Sequence, residues 1–203
     1  SSNMFKIDYI IDNSKKNLEK AKKDFPLSKL LKNQINLKKN DIDLVVISSP
    51  TKTHYKITKH FLGFSHVLVE KPLSLNSKDI IDLEKIAKKN NKLLFVDYPF
   101  LFSGSINLIK KIIKNKKYGK LLEIESFREQ APIRQDADVV WDLGVHDISI
   151  LKHWLNQNPI KIKSIKYNTV KTSKKDTAYI NLEYKNNLKV FIKNSWLSPT
   201  KIR

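Results

Sequence analysis

Cysteine is absent from the 203 residues, which excludes disulfides and thiolate chemistry and agrees with a cytoplasmic location. Glycine is nearly absent too. Gly63, Gly104, Gly119 and Gly144 are the only four, and none follows the first apolar run, so no G-x-G-x-x-G phosphate loop can be drawn. Long apolar runs are missing. Nothing approaches the roughly 20 residues of a membrane helix, and no signal-peptide pattern opens the chain, so no membrane partner is expected. Arginine is restricted to Arg128, Arg134 and Arg203. Acidic residues number 20 against 39 basic ones, a formal charge of +19. That excess invites a nucleic-acid reading. Yet the lysines are spread along the chain without a recognised nucleic-acid motif, and an AT-rich coding sequence also yields surplus lysine, asparagine and isoleucine. Non-specific polyanion binding at low salt follows from the charge; a specific nucleic-acid partner does not. No metal site is expected.

What is present suits a folded protein. The length allows one large or two small domains, and 40% hydrophobic residues fits a soluble globular chain. Met4 is the only methionine, and Ser1-Ser2-Asn3 before it reads as an expression remnant. Residues 5–11 read as a strand ending at Asp12, and Asn13-Ser14 caps a helix to about residue 24. An acid at such a strand tip holds ribose hydroxyls in dinucleotide folds, and is equally a turn or capping residue. Residues 25–40 hold a short strand or turn and a helix around 34–40. Leu44-Val45-Val46-Ile47 is a strand, followed by Ser48-Ser49-Pro50-Thr51, whose small side chains let a ligand approach the backbone. Thr53-His54-Tyr55 opens a helix to about residue 62, ended by Gly63. Val67-Leu68-Val69 reads as a strand buried on both faces, 75–90 as an amphipathic helix, and 93–96 as a fourth strand ending at Asp97-Tyr98-Pro99. This alternation predicts a parallel sheet with right-handed crossovers.

The composition shifts after Phe102. Residues 105–116 read as a helix, 121–128 as a strand, 129–140 as irregular and 142–156 as a helix. Residues 160–172, 176–184 and 188–196 alternate like antiparallel strands, with Asn186-Asn187 at the last turn.

Two stretches carry chemistry. Glu70-Lys71-Pro72 follows the buried strand, and the proline biases Lys71 towards an extended conformation beyond the strand tip, where open α/β sheets place ligands. A lysine there polarises a hydroxyl or carbonyl oxygen; a Glu-Lys pair is also ordinary surface in so lysine-rich a chain. Asp142 and His146 are four apart and share a helix face, with Ser149 and His153 continuing the stripe. A carboxylate one turn from an imidazole orients it and raises its pKa, which suits general acid–base work near neutral pH. The alternative makes Asp142 an N-cap and His146 an ordinary helix residue.

Four segments, 41–54 (DIDLVVISSPTKTH), 66–72 (HVLVEKP), 93–102 (LLFVDYPFLF) and 139–151 (VVWDLGVHDISIL), together resemble the Gfo/Idh/MocA family of nicotinamide-dependent oxidoreductases. The last, with Ser195-Trp196-Leu197-Ser198-Pro199, is similar to members acting on free or nucleotide-linked sugars. The resemblance implies an α/β fold: a partial Rossmann-type parallel sheet over 1–102, then an α+β domain over 103–203 with an open, largely antiparallel sheet. It implies Lys71, Asp142 and His146 as catalytic residues. Asp12, Ser48, Pro50, Thr51, His54, Glu70 and Lys71 would line NAD, with NADP the less suited cofactor because Asp12 repels a 2′-phosphate. Tyr98, Arg128, Arg134 and Ser149 would meet the substrate, the arginines pointing to a carboxylate or phosphate, against a plain surface role. The implied activity is hydride transfer between NAD and a carbohydrate-type alcohol, by a homo-oligomer formed through the second-domain sheet. A non-catalytic binding or regulatory protein on the same fold is the alternative.

Residues from Phe5 match the family's second strand, so the first β–α unit, the final strands and a closing helix are expected to be absent. In a sheet of order 3-2-1-4-5-6 the absent strand lies between residues 7–11 and 44–47. Each buried unpaired backbone group costs about 1–3 kcal/mol, so an empty slot is not expected to persist. Either 5–11 shifts onto 44–47, another chain supplies the strand, or the sequence is part of a larger molecule. Without the glycine loop, these residues alone are expected to bind NAD poorly or not at all.

Overall fold

The computed structural model describes residues 5–33, 37, 42–115, 117–134, 137–170 and 174–203. Most of the helix expected around 34–40 lies outside them.

The first half alternates strands and helices. Strand β1 (Tyr9–Ile11) leads to α1 (Lys15–Asp24) and β2 (Lys29–Leu31), which pairs parallel with β1. Ser14 starts α1 by accepting a hydrogen bond from the Asn17 N–H. Strands β3 (Leu44–Ile47), β4 (His66–Glu70) and β5 (Leu94–Asp97) form a second parallel sheet, connected by α2 (Thr51–Phe61) and α3 (Ser77–Lys89). Asn76 caps α3 through the Lys78 N–H. Val45, Val67 and Leu94 lie side by side, as do Ile47, Val69 and Val96. These six face a core completed by Phe61, Leu62, Leu83 and Ala87.

One expectation needs correcting, and one of the three alternatives for the first strand is set aside. The β4 run was read as buried on both faces, but only Val67 and Val69 are buried. The opposite face carries Val46, 63% exposed, and Phe95, 46% exposed, because α2 and α3 pack on one side only. Nor does β1 shift onto β3. It keeps β2, and the two parallel sheets share one core, with Tyr9, Ile11 and Leu31 packed against the cluster around Ile47.

In the second half, α4 (Gly104–Asn115) precedes β6 (Glu123–Glu129), a π-helical turn (Val140–Gly144) and α5 (Val145–Leu155). Strands β7 (Lys161–Tyr167), β8 (Thr177–Glu183) and β9 (Lys189–Ser195) then complete a four-stranded sheet of order β6-β9-β8-β7. It is mixed: β9 runs antiparallel to β8 but parallel to β6. Asn186 and Asn187 adopt positive φ at the β8–β9 turn, as that turn requires. Ile180, Leu182, Val190 and Ile192 pack inward with Leu151 and Leu155 of α5.

Candidate active site

The tip of β4 delivers Lys71 to the π-helical turn of the second half. Its ammonium donates to the Asp142 carbonyl oxygen at 2.7 Å and to Asp142 Oδ1 at 3.1 Å. Both side chains are largely buried. The indole N–H of Trp196, just past β9, donates to Asp142 Oδ2 at 3.1 Å, and Arg134 stands 3.5 Å from Oδ1. The carboxylate is thus held from three sides.

The helix expected at 142 begins instead with a π turn, which inserts one residue per turn between Asp142 and His146. His146 heads α5. Its ring meets Phe100 edge-on, centroids 4.9 Å apart, and among the described residues its buried Nδ1 has no hydrogen-bond partner. Burial first, then the charges of Lys71 and Arg128, push the imidazole from its ordinary 6.5 down to about 3. The expectation of a raised pKa is overturned. Asp142 pulls in that direction, but desolvation and the neighbouring cations outweigh it.

Arg128, expected to meet substrate, is buried in an ion pair with Asp147, its Nε and one terminal nitrogen each 2.9 Å from Oδ1. The Ser149 hydroxyl donates to the His146 carbonyl oxygen at 2.7 Å, within its own helix. Tyr98 sits half-buried just beyond β5, and burial pushes its phenol up.

Of the residues expected to line a cofactor, Ser48 and Pro50 are exposed, Thr51 and Glu70 half-buried, at the carboxyl ends of β3 and β4. The strand register sets Glu70 beside Asp97, so the three strand tips share one edge. His54 is different. It is 1% exposed, its ring nitrogens 2.9 Å from the Pro72 carbonyl oxygen and 2.7 Å from that of Ser49. It is a strut between two strand-tip loops, and it positions the Lys71–Pro72 turn. Asp12 lies on the separate β1–β2 sheet. Its oxygens accept from the Ser14 N–H at 2.7 Å and the Asn17 amide at 3.0 Å, which lowers its pKa.

Sequence reasoning missed Phe100, Asp147 and Asn194. Asp147 stood inside the quoted 139–151 stretch, and its adjacency to His146 was the available signal. Phe100 stood inside the quoted 93–102 stretch without a residue-level signal, and Asn194 gave none, since each matters only through contacts across the fold.

The family model described as "Oxidoreductase family, NAD-binding Rossmann fold" matches residues 1–98, and "GFO/IDH/MocA C-terminal domain" matches residues 106–203. The chain belongs to the GFO/IDH/MocA family. Among family relatives, the dTDP-3,4-didehydro-2,6-dideoxy-alpha-D-glucose 3-reductase of Saccharopolyspora spinosa is 28% identical over 130 residues, 59% of this chain and 39% of that protein. The myo-inositol 2-dehydrogenase of Thermotoga maritima is 27% identical over 168 residues, 76% of this chain and 50% of that protein. The chain thus spans half or less of the length of these two curated relatives. A crystal structure of myo-inositol 2-dehydrogenase from Lactobacillus plantarum superposes with a TM-score of 0.85 at 19% identity, covering 95% of this chain and 62% of that one. At that identity it supports the fold alone.

Proposed function

We propose that this GFO/IDH/MocA chain carries the Lys71–Asp142–His146 centre of an oxidoreductase moving hydride between NAD and a carbohydrate-type alcohol. The observation that carries this reading is the Lys71 ammonium, 3.1 Å from Asp142 Oδ1, with His146 one turn on. A hydroxyl seated between Lys71 and His146 gives its proton to Nε2, which is unprotonated at neutral pH. Lys71 stabilises the negative charge that develops on the oxygen, and Asp142 holds Lys71 in place. NAD, when bound, supplies the hydride acceptor.

The residues present fit one end of that cofactor. Ser48, Pro50 and Glu70 line the strand-tip edge, and α2 starts there without a side-chain cap. They suit ribose and nicotinamide, whereas no glycine among the four stands ready to let backbone approach a pyrophosphate. Arg134, half exposed beside Asp142, suits an anionic group on the sugar, with Tyr98 and Ser149 nearby in sequence to the strand tip and catalytic helix. The test is a dehydrogenase assay with NAD against inositols, sugar acids and nucleotide sugars. His146→Asn and Lys71→Met should each lower kcat by about 10²–10⁴-fold; wild-type rates in both variants overturn the reading.

The sheet face turned away from α5 fits a second copy. Glu123 and Glu125 stand on its β6 edge and Lys161 and Lys163 on its β7 edge, with Phe127, Tyr179, Phe191 and Ile165 exposed between. A two-fold axis along the strands lays β6 of one copy over β7 of the other, acid over base. Sedimentation of the wild type and of Phe191→Asp checks this: a dimer that the substitution splits is expected, and a monomer at all concentrations sinks it.

A further inference from the structure

The reaction proposed above leaves one buried charge cluster unused. Asp147 is 3% exposed, Arg128 6% and Asn194 fully buried. Asp147 Oδ1 accepts from Arg128 Nε and its terminal nitrogen at 2.9 Å each and from the Ser126 hydroxyl at 3.1 Å, while Oδ2 accepts from the Asn194 amide at 2.8 Å. Stability alone is a weak reason to bury such a pair, since well-packed apolar replacements are often as stable. What the pair provides is direction.

Each member of the cluster touches something beside His146. Arg128 lies over the Phe100 ring at 4.6 Å, and that same ring meets His146 edge-on. Asp147 is the next residue after His146. Asn194 also presses on the other side: its Oδ1 lies 2.7 Å from where a Cβ on Gly144 would stand. Residues 144 and 147, which bracket His146, are therefore both set by β9, and β6 sets the ring that His146 leans on.

We propose that Arg128 and Asn194 are positioning residues that, through Asp147, Phe100 and Gly144, fix the first turn of α5 and aim the His146 ring at the reacting hydroxyl. This rests on His146 as the proton acceptor. Arg128 acts on the ring electrostatically as well, together with Lys71, Asp142 and Arg203.

Arg128→Met alone strands a buried carboxylate, so two other variants make the test. Arg128→Lys keeps the charge and loses the fork; Arg128→Met/Asp147→Leu removes both charges at similar volume. The readouts are kcat, KM and the histidine ring signals in a proton–carbon NMR spectrum of the selectively labelled chain. Expected are a moved His146 signal with the other four histidines unmoved, and a loss of about 10²-fold in kcat with KM nearly unchanged. Either variant, folded, with both His146 signal and kcat at wild-type values overturns the proposal, as does a loss confined to KM. If both variants unfold, Asn194→Ser is judged by the same two criteria. Failure of the underlying reading looks different: His146→Asn then keeps full kcat, and the NMR signal alone decides the positioning role.

Discussion

Lys71 and Asp142, 71 positions apart, are joined twice, the ammonium bonding both the carboxylate and the carbonyl oxygen of the same residue. The double contact fixes the π turn to the β4 tip as well as neutralising a largely buried acid. Removing one partner of such a pair is costlier than removing both. Lys71→Met should therefore destabilise by about 1–3 kcal/mol, with Trp196 and Arg134 limiting the loss. Lys71→Met/Asp142→Leu should recover part of it. Denaturant midpoints of the four proteins in the cycle give the coupling, and strict additivity contradicts it.

The depressed imidazole of His146 makes a pH prediction. The unfolded ring takes up its proton near 6.5, while the folded one stays neutral down to about 3. The unfolded state thus binds more protons across that window, and stability falls as pH drops from 6.5 towards 3. His146→Gln should flatten the upper part of this decline, which urea titrations between pH 7 and 4.5 check. The profile of kcat/KM should likewise show no ionisation near 6.5 from this ring. An apparent pKa there that vanishes in the His146 variant would contradict it.

Much of this was legible in the chain because the signals were local. Leu44–Ile47 and His66–Glu70 are apolar runs with abrupt polar ends, Ser14 caps the helix after β1, and Asn186-Asn187 marks a hairpin. What could not be read depends on partners far away. The pairing of Arg128 with Asp147 crosses from β6 to α5, and β9, the strand that β6 pairs with, comes only after α5, β7 and β8 in the chain. The π turn left no trace in an i,i+4 spacing. The direction of the His146 shift came from burial and cations supplied by other elements, which no spacing rule carries.

On the proposed reading, Asp12 sets the cofactor choice. Its two oxygens already accept from the Ser14 N–H and the Asn17 amide, so the carboxylate is ionised and held at the β1 tip. Ribose hydroxyls can still donate to it, while a 2′-phosphate is repelled. In a version of the protein that includes a glycine loop, NAD should bind more tightly than NADP, and Asp12→Asn should narrow the gap. Dissociation constants for both dinucleotides with both proteins settle it; tighter NADP binding by the unsubstituted protein contradicts the assignment.

Gly144 offers the sharpest packing test. It closes the π turn between Asp142 and His146, in an ordinary helical conformation, so backbone freedom is not the reason for a glycine. The reason is space. A Cβ would meet Asn194 Oδ1 at 2.7 Å and a Val140 methyl at 3.2 Å. The amide cannot swing aside cheaply, because its nitrogen is bonded to Asp147 at 2.8 Å inside the core. Gly144→Ala must therefore push the turn off β9 or break that bond, at about 1–3 kcal/mol. Helix propensity alone predicts the opposite sign, since alanine is favoured over glycine by about 1 kcal/mol in a helix interior. Shortening the opposing side chain removes the clash, so Asn194→Ser should turn the same alanine substitution from destabilising to neutral or better. Thermal midpoints of Gly144→Ala in the two backgrounds decide. An alanine that stabilises the unsubstituted protein would show that β9 gives way at Asn194, and the contact between Gly144 and Asn194 would then have no role in holding the turn.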